Sequence, residues 1–327
     1  MTTPKEKYIA TLIGCGIGDA LGMPVEGFKK ETIQKRVGKV ENFIDSITKY
    51  TKGLKKGEYT DDTILTLAIA ESIADKKSLN FEDIIKRQIK AYESFKLPDG
   101  GINRGFGGST KSAFEKIILG ISSDKSSSHP GLGNGVCMKI SPIGLYMGVT
   151  GRYNNGIDMT RLIGKSTHHD ERAVTSGIVQ AHAVYELLNN PTKKEFLESL
   201  SKCSKLNERS QNYEALMDKG NLTEKIKWII ENQEVSDEQA LKHLGNSCVA
   251  FESYPFTIFM FQKYWDKPID GLIETVNYGG DCDTTGAIFG ALAGAKNGMI
   301  FPDKWVNVLQ NKDRLKSAAE GIYNLKY

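Results

Sequence analysis

Cysteines are few and scattered in this chain, charge of one sign is nowhere massed, and long apolar runs are missing. The five cysteines, Cys15, Cys137, Cys203, Cys248 and Cys282, are odd in number and form no CxxC pair. That excludes a disulfide frame or a zinc site and points to reduced thiols in a cytoplasmic compartment. The 43 lysines and arginines stand against 40 acidic residues, mixed along the chain to a net charge of +3. With no basic block or Arg-rich stripe, nucleic acid is not expected as the main partner. No stretch reaches the roughly 18 uncharged apolar residues of a membrane helix, and the run after Lys5 to Lys7 is too short for a signal peptide. A membrane partner is therefore not expected either.

Strand patterning is almost as scarce. A few alternating positions around Val40 to Ile47 allow a small hairpin, and a short helix fits elsewhere between 27 and 58. Everything else with a period is helical. At 327 residues, with 39% hydrophobic and 25% charged residues, the chain can bury a sizeable core.

Residues 8 to 22 carry apolar positions at Ile9, Leu12, Ile13, Ile17, Ala20 and Leu21, spaced by three and four. Gly14, Gly18 and Gly22 then fall on one stripe of a helix, where missing side chains let another backbone come close. A dinucleotide-binding loop would need a strand before these glycines and an acidic residue on the next strand, and neither is present. Gly286, Gly290, Gly294 and Gly298 echo the same four-residue interval near the other end. Further helices are expected over 64–74, 81–95 (capped by Asn80), 111–119, 136–148 (bent at Pro142), 159–165, 171–189, 193–204, 213–219, 224–231, 237–244, 248–262 (kinked at Pro255), 269–277, 287–295 and around 305–309. About a dozen helices, no repeat and no linker predict a single all-α domain over 1–327.

Two acidic turns open helices near opposite ends of the chain. One is Tyr59-Thr60-Asp61-Asp62-Thr63, the other Gly279-Gly280-Asp281-Cys282-Asp283-Thr284-Thr285. A simple role is at hand, because Asp and Thr are favoured helix caps and acidic side chains suit the positive end of the helix dipole. Capping needs one oxygen per helix, however, and each turn offers two carboxylates with threonine hydroxyls beside them. These are hard oxygen ligands of the kind that Mg²⁺, Ca²⁺ or Mn²⁺ prefer. If the turns meet, each like-charged pair at 4 Å costs about 4 kcal/mol at an effective dielectric near 20. Such a group must take up protons or hold a cation.

Glu26 follows the turn that ends the first glycine-striped helix and reads equally as a solvated loop carboxylate. The loop Pro98 to Gly108, holding Gly105, Phe106 and Gly107, enters a helix started by Ser109 or Thr110, which suits either a phosphate or a plain connection. Ser122 to Gly135 is long for a connection and is either functional or filler. Thr167-His168-His169-Asp170 offers two imidazoles that read either as metal ligands or as surface residues, with Asp170 an adequate cap. His182, inside an apolar helix, reads as a packed core residue.

Taken in order, these residues resemble the ADP-ribosylglycohydrolase family, across nearly the whole chain. The matching residues are Gly18-Asp19-Ala20-Leu21-Gly22 with Pro24 and Glu26, Thr60-Asp61-Asp62-Thr63, Gly133-Asn134-Gly135 with Met138, Pro142 and Gly144, Thr167-His168, Glu252-Ser253 with Pro255, and Gly279-Gly280-Asp281-Cys282-Asp283-Thr284. The resemblance implies a compact orthogonal bundle of helices with a dinuclear site between two helix N-termini. It implies two Mg²⁺ ions, or Mn²⁺, held by Thr60, Asp61, Asp62, Asp281, Asp283 and Thr284. Glu26, Asp61 and Asp62 are then the candidate catalytic carboxylates. Gly105, Phe106, Gly107, Ser109, Ser128, Gly133, Asn134, Gly135, Met138 and His168 are the candidate substrate contacts. Many members carry Asp-Ile-Gly where this chain has Gly105-Phe106-Gly107, so a carboxylate beside the metals is missing here.

The implied partner is an ADP-ribosylated protein or a small ADP-ribose conjugate, handled by a monomer. Cleavage at ribose C1 passes through an oxocarbenium-like state, and two cations can grip the sugar hydroxyls and acidify the attacking water. Arginine is the expected acceptor, with serine-linked, nucleobase-linked and O-acetyl-ADP-ribose as alternatives. A non-catalytic ADP-ribose reader is the rival from another class. A purely structural helical protein would lack the six metal-ligand positions.

Overall fold

At the centre of the fold the two glycine stripes lie against each other. The computed structural model describes residues 3–98, 100–209 and 220–326, and these form sixteen α-helices. The first five are α1 (Pro4–Gly22), α2 (Lys30–Val37), α3 (Asp61–Lys76), α4 (Phe81–Ser94) and α5 (Gly108–Ile118). Next come α6 (Ser141–Thr150), α7 (Tyr153–Thr167), α8 (Glu171–Leu188), α9 (Lys193–Asn207), α10 (Leu222–Glu231) and α11 (Asp237–Leu244). The last are α12 (Ala250–Lys263), α13 (Pro268–Asn277), α14 (Cys282–Asn297), α15 (Asp303–Val306) and α16 (Lys312–Tyr323).

A Cβ added at Gly14 would strike the Gly290 carbonyl, one at Gly18 the Gly286 carbonyl, and one at Gly22 the Cys282 carbonyl. The pairing order makes α1 and α14 antiparallel, with backbone on backbone along the whole seam. Close approach of this kind gains dispersion contacts that side chains would hold apart. It also puts the C-terminal end of α1 beside the N-terminal end of α14. The chain leaving α1 makes one turn of 3₁₀ helix, Met23–Val25, and reaches Glu26 next to the second acidic turn. Gly27 N donates to Gly280 O and Gly280 N to Phe28 O, both at 2.8 Å, which fixes that junction. Gly279 and Gly280 both adopt positive φ there (72° and 66°), a conformation that glycine enters without a Cβ penalty.

Helices α3 and α16 flank α1, while α8, α12 and α13 surround α14, and one continuous apolar core runs from Tyr8 to Ile322. No strand is present among the described residues. The only β-type pairings there are isolated bridges, Lys29 with Gly279, Ser128 with His168 and Gly133 with Val249.

Several local expectations need correction. The segment 40–47 makes no hairpin and is tied down through single contacts, such as Val40 N to Asn277 Oδ1 at 2.8 Å. Pro142 does not bend a helix but opens α6 from its first turn, where its missing N–H is harmless. Pro255 lies inside an unbroken α12, near its start, so only the bond to the Phe251 carbonyl is forfeited. The closing helix at 305–309 shrinks to α15, and the larger α16 follows it. Its buried Leu315, Ala318, Ala319 and Ile322 do carry a helical spacing, muted by two alanines. The stretch Pro4–Val25 is long and apolar enough to cross a membrane by length and composition, although Lys5, Glu6, Lys7 and Asp19 interrupt it, and 94% of its apolar window is buried inside the core. The helix expected over 213–219 lies outside the described residues.

Candidate functional site

Both acidic turns are helix N-termini, and neither N-cap residue caps its helix with its own side chain. Thr60 is the N-cap of α3 and Asp281 that of α14, each without a side-chain cap bond. The job at α3 is done from another helix. Asp19 on α1 accepts from Thr60 N at 2.9 Å, Thr60 Oγ1 at 2.9 Å, Thr63 N at 3.0 Å and Thr63 Oγ1 at 2.6 Å. Asp61 N is bonded to Arg104 O at 2.8 Å, and Arg104 in turn pairs with Glu58 at 2.7 Å. At α14, Asp281 N donates to Asn246 O at 2.9 Å, and Asn246 Nδ2 holds Gly279 O at 2.7 Å. At α3 the simple capping role is thus filled by Asp19, while at α14 Asp283 Oδ1 takes one first-turn amide, Thr284 N at 2.9 Å.

The two turns meet. Carboxylate oxygens of Glu26, Asp281 and Asp283 all lie within 4.8 Å of one another. Asp61, Asp62 and Thr284 face the same cavity, which brings the two turns together. Burial pushes the Glu26 carboxyl up to about 8, with Asp281 and Asp61 adding to it. Burial, then Asp19, raises Asp61 to about 8. Asp62 and Asp283 are driven well above the carboxylate range by burial and by their acidic neighbours, and burial raises Asp281. Lys139, a cation that acts on Asp61, is fully buried and pulled down to about 8 by the loss of water, with Asp61 opposing.

Do these residues fit a divalent cation? Glu26 Oε2 and Asp62 Oδ1 are buried with no hydrogen-bond partner, a costly state for a carboxylate oxygen. Oxygens of this hardness, converging and unpartnered, match an oxygen-seeking ion such as Mg²⁺ or Mn²⁺. The donor set fits.

The cavity above the carboxylates has a volume of about 710 Å³, within the range of small-ligand sites. All ten residues expected to touch substrate line it: Gly105, Phe106, Gly107, Ser109, Ser128, Gly133, Asn134, Gly135, Met138 and His168. Thr60 does not; it is fully buried behind the first turn and gives its hydroxyl proton to Asp19 and Asp62. Gly105 has φ 77°, and a Cβ there would sit 3.1 Å from Asp61 Oδ1 and from Thr60 Cβ. The backbone lies directly on the first acidic turn.

His168 is not a surface residue, contrary to one expectation. It is 1% exposed in the cavity wall, and its Nδ1 is 2.7 Å from Thr167 Oγ1. Gly133 and Gly135 leave room for its ring: a Cβ at Gly135 would stand 2.9 Å from Cε1. Burial drives its pKa down to about 3, so the ring is neutral. His169 instead lies against His129 at a ring separation of 5.2 Å, and neither histidine belongs to the carboxylate group. His182 is a packed residue, as expected. Asn134 turns out to serve Asp281: its Nδ2 donates to Asp281 Oδ2 and, at 3.0 Å, to Ser253 Oγ.

Sequence reasoning missed three residues of the site. Asp19 was visible only as part of a motif, Lys139 as an ordinary lysine in an apolar run, and Tyr50 as one aromatic of many. Tyr50 is 49% exposed at the cavity rim, its ring packed on Gly27 beside Glu26. No pattern in the sequence singles these out, because each acts on residues far away along the chain.

Comparison with known proteins agrees with the geometry. The family model for ADP-ribosylglycohydrolase matches residues 1–327. An uncharacterized protein of Archaeoglobus fulgidus is 29% identical over 98% of this chain and 97% of its own length. ADP-ribosylhydrolase ARH3 of Xenopus tropicalis is 29% identical over 91% of this chain and 89% of its own, and that of Homo sapiens 25% identical over 98% and 93%. A solved structure titled ADP-ribosylglycohydrolase-related protein complex covers 99% of both chains with a TM-score of 0.74 at 22% identity, a likeness of fold. The chain belongs to the ADP-ribosylglycohydrolase family and is a glycohydrolase enzyme acting on ADP-ribose linkages.

Proposed function

We propose that this enzyme releases ADP-ribose from a modified acceptor, with two divalent cations, Mg²⁺ or Mn²⁺, held between the acidic turns. The observation that carries the reading is the convergence of Glu26, Asp281 and Asp283 within 4.8 Å, with Glu26 Oε2 and Asp62 Oδ1 lacking any partner. Asp61, Asp62, Asp281 and Asp283 would hold the ions, with Thr284 and Thr60 as hydroxyl ligands. Once bound, such ions supply charge stabilisation at the ribose hydroxyls and at the attacking water.

The remaining work falls to the chain. At the N-terminus of α5 the amides of Gly108, Ser109 and Thr110 have no partner within the helix and suit a diphosphate. Ser128 shares that wall and ties it together by donating to Ser109 O at 3.0 Å. Gly133 to Gly135 and the neutral His168 shape the floor beside it. Anchoring the diphosphate converts binding far from the bond into orientation at ribose C1. Glu26 is the cavity carboxylate outside both helical turns, and its free Oε2 is placed to take a proton from water or return one to the leaving group. For the acceptor we put arginine first, since the exposed Tyr50 ring beside Glu26 offers a planar cation both a π-face and a carboxylate.

The test is incubation with arginine- and serine-ADP-ribosylated proteins, with and without Mg²⁺, measuring free ADP-ribose. Mg²⁺-dependent release from the arginine-linked substrate is expected. Release only from the serine-linked one would replace the acceptor, and release unaffected by chelation would remove the metal from the mechanism.

A further inference from the structure

Helix N-termini usually consume the acidic residues placed on them, since carboxylates fold back onto the free amides. At α3 the amides and hydroxyls of Thr60 and Thr63 are already taken by one carboxylate from a different helix. We infer that Asp19 is the positioning residue of the first acidic turn, and that by taking these four donors it leaves Asp61 and Asp62 free to face the cavity and hold a cation. The inference rests on reading the cavity as a cation site.

The geometry is specific. Asp19 is fully buried, and its Oδ1 and Oδ2 receive Thr60 N (2.9 and 3.1 Å), Thr60 Oγ1 (2.9 Å), Thr63 N (3.0 Å) and Thr63 Oγ1 (2.6 Å). An ionised carboxylate only accepts, so both hydroxyl protons point at Asp19. The lone pairs of Thr60 Oγ1 are thereby turned away from Asp19, as a hydroxyl ligand requires. The weaker share of the Thr60 proton, 3.2 Å to Asp62 Oδ2, can be given up when Asp62 turns to a cation. Asp62 Oδ1 has no partner at all, which is the state this division of donors would produce. Orienting groups behind metal ligands typically change affinity by about 10- to 100-fold when lost.

An amide at position 19 would aim N–H at donors and break half of this arrangement. Asp19→Asn should therefore weaken Mn²⁺ binding by at least about tenfold, followed as the loss of the free-ion paramagnetic resonance signal on titration. Helix content by circular dichroism should stay near that of the wild type. Thr63→Ala removes one donor without touching the cavity and should weaken Mn²⁺ severalfold, while Thr63→Ser should restore it. If Asp19→Asn does not fold, the Thr63 pair decides between the outcomes. Folded variants binding Mn²⁺ as tightly as the wild type would overturn the inference alone. A wild type that takes up no Mn²⁺ would overturn the cation reading, and this inference with it.

Discussion

Asn134 donates one side-chain amide to Asp281 Oδ2 and to Ser253 Oγ, fastening the second acidic turn to α12. Its role is thus to aim a carboxylate, although it also faces the cavity. Asn134→Ala should lower kcat/KM by about 10- to 100-fold, with diphosphate binding, read as the inhibition constant of ADP-ribose, changed much less. Equal losses in both would mean that Asn134 holds the ligand directly.

Five crowded carboxylates make a strong case for linkage to cations. A divalent ion that binds only the folded state adds about 2.7 kcal/mol of stability at 100 times its dissociation constant. Mg²⁺ or Mn²⁺ should therefore raise the melting temperature of chelator-treated protein by several degrees. Asp283→Asn should abolish both this shift and turnover, yet melt higher than wild type without metal, because one repelling charge is gone. Differential scanning fluorimetry with and without chelator checks both halves.

The glycine seam makes a stability prediction. Gly18→Ala would drive a Cβ into the Gly286 carbonyl, and Gly286→Ala into the Gly18 carbonyl. Backbone cannot yield as a flexible side chain can, so each should cost about 3 kcal/mol or more. Gly108→Ala, with nothing within 4 Å of the new methyl, is the control. Urea midpoints read the difference.

Acid sensitivity should come in part from His182. It is buried in α8, with Nδ1 3.0 Å from Tyr153 Oη, Nε2 2.8 Å from Ser199 Oγ and Glu186 at 3.7 Å. Burial lowers its pKa from 6.5 to about 4. Between those values the unfolded chain binds the proton and the folded one does not, so stability is complete above 6.5 and drains away as pH falls toward 4. The full loss is about 3 kcal/mol. His182→Gln should flatten the melting temperature between pH 7 and pH 5, and an unchanged slope would assign the acid loss to other groups.

Cys248 is the exposed cysteine of the five, and it lines the cavity beside Asn134, whose amide N donates to Cys248 O at 3.0 Å. Maleimide should label the folded protein once, at Cys248, and ADP-ribose should slow the labelling. The four buried thiols should react only after unfolding, as mass spectrometry of the intact protein would show.

Much of this fold was legible in the sequence, since the helical periods in α4, α8 and α9 are local, and a four-residue glycine interval marks α1 and α14. Both glycine stripes could be read as such, but not that they pair with each other, because spacing along one helix says nothing about its neighbour. The same limit explains the site. The acidic turns and glycine loops stand out as short motifs, whereas Asp19 and Lys139 matter only through partners that other helices bring to them. Pro142 and Pro255 misled for the opposite reason: a proline's effect depends on how far it lies from a helix start, and that boundary was blurred.

The antiparallel seam also dictates when the active centre can come into being. Cys282 Sγ reaches Gly22 O across 260 positions of sequence, and Glu26 gains its acidic neighbours only through that junction. A ribosome-bound chain that has not yet delivered α14 holds Glu26, Asp61 and Asp62 without Asp281 and Asp283. A form that stops before α14 therefore lacks Asp281 and Asp283, and with them one side of the carboxylate group.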